Sequence, residues 1–270
     1  MTVRQWLDEN TKILTAAGIG TARLDCLVLL EDCLNTNRTQ LLAHPECKLS
    51  VEQIKWLDQR LAQRSGHIPL AYIRGKTEFY GREFIVDRHV LEPRPESETI
   101  IDLCKSAPLP ERPRIADVGT GSGALGVTAK LELPHAQVDL LEIDKAALVV
   151  ARKNVNKFRI QATCIQSDLL AQTAVAYDVI LANLPYVPDD FHINPAAEAE
   201  PRFAIFGGAD GLNVYRRMFV QLAGFDWKPR YIFTESLAPQ HDELAKIAAS
   251  ADFKLTKTDD FVQQFEPAAI

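Results

Sequence analysis

Residues 116–126 read ADVGTGSGALG, a run that ends a short apolar strand and opens a helix. Glycines at positions 119, 121 and 123 allow the backbone to turn tightly and to approach a ligand where a Cβ would clash. The amides at the start of the following helix can meet a polar or anionic group. Gly121, Gly123 and Gly126 also satisfy GxGxxG, so the run by itself is equally consistent with a dinucleotide-binding fold.

Strands and helices alternate around this run, which predicts an α/β fold with a parallel sheet and helices on both faces. The predicted strands are RIADVG (114–119), QVDLLEI (137–143), ATCIQSD (162–168), DVILAN (178–183) and RYIFTES (230–236). The predicted helices lie near 123–132, 145–157, 211–223 and 240–250. A last pair, FKLTKTD (253–259) and FVQQFEPAAI (261–270), is expected to add antiparallel edge structure.

The first 65 residues or so are predicted to be helical, because apolar residues recur at helical intervals. The segments with this period are VRQWLDENTKILTAAGI (3–19), ARLDCLVLLEDCLN (22–35) and SVEQIKWLDQRLAQRS (50–65). Ser50 and Gln53 predict a capping box for the third helix.

A β-hairpin is predicted next, since EFYGREFIV (78–86) alternates around Gly81. The prolines of EPRPE (92–96) predict extended chain that leads into a helix at SETIIDLCKS (97–106).

Composition argues against several classes of protein without excluding a local basic patch. The net charge is −6, whereas proteins that bind nucleic acid usually carry a basic surface. No run approaches 18 apolar residues, and MTVRQWLDENTK (1–12) lacks a signal-peptide core, so we expect neither a membrane span nor a secreted protein. The cysteines contain no CxxC pair and read as reduced thiols of a cytosolic protein. With the dispersed histidines, they predict no metal site. They are Cys26, Cys33, Cys47, Cys104 and Cys164.

Three successive strand ends carry candidate ligand-binding groups. After the glycine loop, Glu142 ends the second strand, where a carboxylate can accept hydrogen bonds from both hydroxyls of a ribose. Asp144 is expected to cap the next helix. Asp168 ends the third strand and either accepts a hydrogen bond from an adenine amino group or caps a helix. Ligands of open α/β sheets sit outside these carboxyl ends.

The fourth strand ends in LANLPYVP (181–188), which suits methyl transfer to a planar nitrogen. Such a nitrogen is a poor nucleophile, because its lone pair is delocalised. The Asn183 Oδ1 and the Leu184 carbonyl can accept its two hydrogens and aim the lone pair at a methyl sulfonium. Pro185 keeps Leu184 extended, and Tyr186 can stack on the substrate and favour the nearby cation. Catalysis is then mainly alignment, without a strong general base.

Five segments along nearly the whole chain carry a resemblance to a known family. They are PLAYIRGKTEFYGREFIVDRHVLEPRPESE (69–98), DVGTGSGALGV (117–127), LLEIDKAALVVARKN (140–154), ANLPYVP (182–188) and EPRFAIFGGADGLNVYRRM (200–218). In these segments the chain resembles class I S-adenosylmethionine-dependent methyltransferases. Among them, it resembles the protein-(glutamine-N5) methyltransferases of the PrmC/HemK type, which modify the Gly-Gly-Gln motif of peptide-chain release factors.

The resemblance implies a Rossmann-like, seven-stranded class I methyltransferase domain over residues 99–270. A helical domain over 1–75 would dock the protein substrate, and a β-hairpin linker over 76–98 would join the two. It also implies a cytoplasmic, monomeric enzyme whose cofactor is S-adenosylmethionine and whose partner is a release factor. Neither a membrane nor a metal is expected to take part.

The resemblance also implies roles for individual residues. The cofactor-binding positions fall on Gly119, Thr120, Gly121, Ser122, Gly123, Glu142, Asp168, Leu169 and Asn183. The substrate tetrapeptide, NPPY in most of the family, falls on Asn183, Leu184, Pro185 and Tyr186. Glu142 stands where the family more often has Asp. Leu184 stands in place of a proline. Leucine restores a backbone N–H and is expected to loosen the turn, although the following Pro185 still constrains it.

Besides a non-catalytic or dinucleotide-binding module, two alternatives remain open at the level of sequence. NLPY also resembles the motif of ribosomal-RNA adenine dimethylases, so adenine-N6 methylation of RNA or DNA is one. The acidic charge, the helical N-terminal region and the hairpin with PRPESE (93–98) argue against it. Methylation of a ribosomal-protein glutamine is the other. Arg94 and Glu96 are read as a surface ion pair or, following the resemblance, as residues that organise the domain junction.

Overall fold

The computed structural model describes residues 1–268 and divides the chain into two compact units. The first comprises Met1–Arg74 and the short segment Asn194–Ala199. The second comprises Gly75–Ile193 and the chain from Glu200 onward. Residues 269 and 270 of the predicted last strand lie outside the described residues. The division into docking domain, linker and catalytic domain stays a prediction.

The first unit is a helical bundle with its own core. Its helices are α1 (Val3–Ala16), α2 (Ala22–Leu34), α3 (Arg38–Ala43), α4 (Val51–Ser65) and α5 (Leu70–Arg74). The three predicted helices are confirmed as α1, α2 and α4, while the short α3 and α5 escaped prediction. The capping box of Ser50 and Gln53 is present. Trp6, Leu14 and Leu57 are fully buried in the apolar core of the bundle.

A buried ion pair joins α2 to α4. The Arg64 Nε donates to the Asp25 Oδ2 over 2.6 Å, and the two side chains are only 10% and 5% exposed. Charges held this far from water are tolerated only when each is paired. The pair therefore restricts how α2 and α4 can pack.

The second unit contains a seven-stranded sheet. Its strands are β3 (Arg114–Val118), β4 (Gln137–Glu142), β5 (Thr163–Gln166), β6 (Val179–Ala182), β7 (Tyr231–Glu235), β8 (Phe253–Asp259) and β9 (Val262–Pro267). Their order across the sheet is β5-β4-β3-β6-β7-β9-β8. The strands β3 to β7 pair in parallel, as predicted. The strand order reverses between β3 and β6, and such a switch point opens a crevice at the carboxyl ends.

Helices cover both faces of this sheet. They are α6 (Glu98–Ser106), α7 (Ala124–Glu132), α8 (Lys145–Phe158), α9 (Arg202–Ile205), α10 (Asn213–Ala223) and α11 (His241–Ala249). Residues alternate between the faces with a period of two. In β6, Ile180 and Ala182 belong to one apolar cluster, and Val179 and Leu181 belong to the other. All the predicted helices are confirmed, and α9 is an addition.

The last strand lies inside the sheet, so the expectation of purely edge structure for this pair is wrong. β9 lies between β7 and β8 and is antiparallel to both, so that β8 is the member of this pair at an edge of the sheet. Pro267 is accommodated because it occupies the last position of β9, opposite Phe253.

The predicted hairpin is formed by β1 (Lys76–Phe79) and β2 (Arg82–Ile85). Tyr80 and Gly81 both have positive φ, as the tight turns of hairpins require. Asn154 of α8 exchanges hydrogen bonds with the backbone of Ile85 and donates to the Ser122 carbonyl. The hairpin is thus attached to α8 and to the glycine loop.

Within residues 1–268, each helix is too short or too polar to cross a bilayer.

We predict that Asp25→Ala strongly destabilises the helical bundle, because it leaves Arg64 buried without its carboxylate. The expected loss is about 3–5 kcal/mol of the free energy of opening. Hydrogen–deuterium exchange of the α2 and α4 amides measures this quantity locally. Asp8→Ala is the matched control, since Asp8 and Arg23 are 3.8 Å apart and both 57% exposed. It should cost less than about 1 kcal/mol. Equal protection in the two variants would contradict the role given to the buried pair.

Candidate active site

A cavity of about 390 Å³ lies at the carboxyl ends of the parallel strands in the second unit. The glycine loop after β3, Glu142, Asp168, Leu169 and the Asn183–Pro185 turn all contribute to its wall. Ser97, Phe203 and Phe206 also line it. Its volume falls in the range of small-molecule and cofactor sites.

The glycine loop adopts a conformation that other residues would resist. Gly119, Gly121 and Gly123 have φ values of +68°, +53° and +84°. A Cβ built on Gly119 would lie only 2.8 Å from the Leu184 Cδ2. The loop therefore needs glycine for its turn and, at Gly119, for close contact with the end of β6. Gly126 has a different role, because a Cβ there would meet the Leu140 Cδ2 at 2.1 Å between α7 and β4.

Asp117 is a cavity residue that sequence reasoning missed. Its buried carboxylate accepts hydrogen bonds from the Thr120 hydroxyl (2.5 Å) and the Gly126 amide (2.8 Å). Burial raises the pKa of Asp117 to about 6, against the effect of these two donors. The only signal was an acid placed two residues before the first loop glycine. Its bonds hold the glycine loop against the first turn of α7.

Glu142 is where the predicted ribose acceptor should be, at the end of β4. It is 5% exposed, and its two oxygens accept from the amides of Gly121 (2.9 Å) and Asp144 (3.0 Å). Each carboxylate oxygen has a second lone pair for a further donor. Burial raises the pKa of Glu142, and the backbone donors oppose this shift. Asp144 caps α8, as predicted, by accepting from the amides of Ala146 and Ala147.

Asp168 and Leu169 also border the cavity, but Asp168 has a partner that was not foreseen. Its two oxygens accept from the Arg217 Nη2 at 2.5 and 2.7 Å. A turn follows Asp168, so the alternative that it caps a helix is wrong. Leu169 is buried with a φ of +54°, a strained value for a branched side chain. Arg217 lines the cavity beside them.

The Asn183–Tyr186 turn lies beside the glycine loop at the end of β6. Asn183, Leu184 and Pro185 line the cavity. The Asn183 Nδ2 donates to the Ser97 hydroxyl over 2.8 Å. Tyr186 is half-buried and packs against the apolar core, and its hydroxyl donates to the Glu235 Oε1 over 2.8 Å. Ser97 and Glu235 are thus site residues without an evident signal in the sequence.

Leucine at position 184 is held by a hydrogen bond and by packing. The restored N–H of Leu184 donates to the hydroxyl of Tyr215 over 3.3 Å, and its side chain is buried against Gly119. Tyr215 lies on α10 and is fully buried. The donor that proline would lack is therefore satisfied inside the protein.

A second loop holds the outer side of the turn. A Cβ on Gly207 would lie 2.4 Å from the Pro185 carbonyl oxygen, and one on Gly211 would lie 2.0 Å from that of Tyr186. The Gln240 Nε2 also donates to the Tyr186 carbonyl over 2.7 Å. Gly207 and Gly211 are therefore needed for close contact with the turn.

Arg94 pairs with Glu200, so its reading as a surface ion pair with Glu96 is wrong. The Arg94 Nη2 donates to the Glu200 Oε2 over 2.6 Å, and Glu200 is only 4% exposed. Burial raises the pKa of Glu200 to about 7, and the charge of Arg94 opposes this. The pair joins the segment before α6 to the segment before α9.

Comparison with known proteins identifies the family. The family models named PrmC N-terminal domain and Methyltransferase small domain match residues 5–75 and 99–199. The chain is 36% identical over 228 residues to the release factor glutamine methyltransferase of Koribacter versatilis, which covers 82% of this chain and 81% of that relative. The chain belongs to the release factor glutamine methyltransferase family. Its relative from Coxiella burnetii is 37% identical over 200 residues, covering 73% and 72% of the two chains.

Solved methyltransferases share the fold at low sequence identity. The human Mettl16 catalytic domain, in complex with a hairpin of the MAT2A 3′UTR, has a TM-score of 0.53 and 14% identity, covering 78% of this chain and 82% of that one. The T. thermophilus 16S rRNA N2 G1207 methyltransferase, in complex with AdoMet and guanosine, has a TM-score of 0.52 and 18% identity, covering 72% and 50%. They support a class I methyltransferase fold for this member of the family.

The residues present fit the cofactor of such an enzyme, S-adenosylmethionine. The glycine loop leaves backbone exposed to a cavity of suitable size, and the Glu142 carboxylate offers acceptors for the hydroxyls of a nucleoside. Among residues 1–268, no group of three or more His, Cys, Asp or Glu side chains is arranged to hold a metal ion.

We predict that Glu142→Ala weakens S-adenosylmethionine binding, because hydrogen bonds to a charged acceptor are lost. The dissociation constant should rise about tenfold or more, as measured by calorimetry. Glu132→Ala is the matched control, because Glu132 also accepts two hydrogen bonds, from Arg82 and Lys105, but lies outside the cavity lining. An unchanged S-adenosylmethionine affinity in Glu142→Ala would contradict the assignment of Glu142 as the ribose acceptor.

Proposed function

We propose that this chain transfers a methyl group from S-adenosylmethionine to the side-chain amide nitrogen of the glutamine in the Gly-Gly-Gln motif of a peptide-chain release factor. Its relatives are release factor glutamine methyltransferases that match it over most of both chains. The substrate class follows from this kinship and from a site suited to an amide.

One observation carries the proposal: Asn183 lines the cavity with its Nδ2 already bonded to Ser97. No group among the described residues donates to its Oδ1. The side chain therefore offers an acceptor to the cavity, and an acceptor is what the N–H of a glutamine side chain needs.

The backbone after Asn183 supplies the second acceptor in this proposal. The carbonyl of Leu184 takes the other amide hydrogen, and the two acceptors together orient the nitrogen lone pair. Pro185 restricts Leu184 to extended geometry, and Tyr215 holds the N–H of Leu184. The ring of Tyr186 stacks on the planar amide in this scheme, while its hydroxyl is held by Glu235.

The cofactor is proposed to lie along the ends of β3, β4 and β5. When bound, S-adenosylmethionine supplies an electrophilic methyl group on a positively charged sulfur. Gly119 to Gly123 receive the polar end, Glu142 accepts from the ribose, and Asp168 and Leu169 border the adenine. Asn183 borders the reacting end. The Asp168 carboxylate remains paired with Arg217 at the rim.

The proposal also covers the domains, the location and the oligomeric state. Residues 1–75 are proposed to dock the release factor, and residues 76–98 to link them to the catalytic residues 99–270. We place the protein in the cytoplasm as a monomer. All five cysteines are thiols, which suits a reducing compartment.

The proposal is tested by offering tritiated S-adenosylmethionine with four substrates in parallel. They are a release factor, the same factor with the Gly-Gly-Gln glutamine changed to alanine, ribosomal protein and ribosomal RNA. Label should appear in the unmodified release factor and disappear when the glutamine is replaced. Label in RNA but not in protein would overturn the proposal, and label confined to ribosomal protein would move the substrate to another glutamine.

We predict that Asn183→Ala nearly abolishes methyl transfer, because the amide loses an aligning acceptor. The turnover should fall about 10²-fold or more. S-adenosylmethionine affinity should change by less than about threefold, since most of the proposed cofactor contacts remain. Asn156→Ala, which truncates an exposed asparagine of α8, is the matched control and should retain full turnover. Loss of cofactor affinity in Asn183→Ala would contradict its role toward the substrate.

A further inference from the structure

The carboxamide of Asn183 has two ends of nearly equal size and opposite chemistry. Oδ1 accepts hydrogen bonds, whereas Nδ2 donates them. The proposed reaction needs the oxygen to face the substrate, because a donor would oppose the N–H groups of the glutamine. Shape alone does not distinguish the two orientations, so neighbouring hydrogen bonds must select one.

A series of hydrogen bonds behind Asn183 selects the orientation of its carboxamide. The Asn183 Nδ2 donates to the Ser97 Oγ over 2.8 Å, and the Ser97 hydroxyl donates to the Glu235 Oε2 over 2.6 Å. The other oxygen of Glu235 accepts from the hydroxyl of Tyr186 over 2.8 Å. A serine hydroxyl has a single proton. Once that proton goes to Glu235, only lone pairs of Ser97 remain to face Asn183.

Glu235 determines which groups donate and which accept in this series of hydrogen bonds. It is 1% exposed, and an ionised carboxylate can accept hydrogen bonds but cannot donate them. Burial raises the pKa of Glu235, whereas the hydroxyls of Ser97 and Tyr186 favour its charged form. With both oxygens accepting, Ser97 must donate to Glu235 and accept from Asn183.

We propose that Ser97 and Glu235 are positioning residues that determine which end of the Asn183 carboxamide faces the substrate. This rests on the proposed function and deepens it. Neither residue touches the reacting atoms in this scheme, and both act through Asn183. Ser97 ends the 3₁₀ turn Pro95–Ser97, and Glu235 is the last residue of β7, so two separate elements meet behind the end of β6.

The first test is kinetic. Ser97→Ala should lower kcat for release-factor methylation about 10- to 100-fold, because the amide is no longer held in one orientation. S-adenosylmethionine affinity should stay within about twofold, since the proposed cofactor contacts remain. Ser97→Thr keeps the hydroxyl and should restore most of kcat. Glu235→Leu removes the acceptor from the other side and should lower kcat while leaving Ser97 in place.

Ser236→Ala is the matched control. Ser236 is fully buried, follows Glu235 directly and donates to the Gln263 Oε1 over 2.9 Å, but it has no bond to Asn183. It loses a buried hydroxyl with a comparable cost in stability, so it should lower the melting temperature without lowering kcat. An equal kcat in Ser97→Ala and Ser236→Ala would overturn the proposal.

The second test reports on the hydrogen bonding of the Asn183 carboxamide without any turnover. With selective 15N-asparagine labelling, the Asn183 side-chain resonances are assigned by their loss in Asn183→Ala. They should shift in Ser97→Ala and Glu235→Leu and stay in place in Ser236→Ala. Resonances that do not move in Ser97→Ala would overturn the proposal. A wild-type enzyme that fails to methylate the release factor would instead contradict the proposed function, and this spectrum distinguishes the two failures.

Discussion

The hydroxyl of Tyr215 joins the carboxyl ends of β6 and β7, and the geometry of the site depends on it. It lies 2.9 Å from the Ala182 carbonyl and 2.7 Å from that of Glu235, and it accepts from the amides of Leu184 and Glu235. A fully buried phenol must find such partners, because leaving it unpaired costs free energy. One hydroxyl thus holds the backbone at the points where β6 and β7 end.

The positions of Asn183 and Glu235 follow from this junction. Both residues lie beside backbone that Tyr215 holds, and Ser97 fits between their side chains. The same junction explains how the chain accommodates Leu184. Its N–H has a partner in Tyr215, and its side chain fills the space beside Gly119, which has no Cβ. Leucine therefore links the Asn183–Tyr186 turn to the glycine loop by packing.

Much of the fold was predictable because its signals are local. Apolar periodicity identified α1, α2 and α4 and the five parallel strands, and the glycine run identified the start of α7. Short elements such as α3, α5 and α9 lacked enough length to show a period. The place of β9 inside the sheet could not be read either, because strand order depends on pairing between segments that are distant along the chain.

The same distinction between local signals and contacts distant along the chain applies to the candidate site. Residues at strand ends, such as Glu142 and Asn183, were predictable, since parallel strands bring their carboxyl ends to one edge of the sheet. Asp117, Ser97, Glu235 and Arg217 were not, because each depends on hydrogen bonds or packing with residues from other elements. By itself, the sequence determined the fold class, the glycine loop and the turn that follows β6, because their signals lie in contiguous residues. Only the tertiary structure decided how Asn183 is oriented and which partner Asp168 takes, because those contacts exist only after separate strands and helices have packed together.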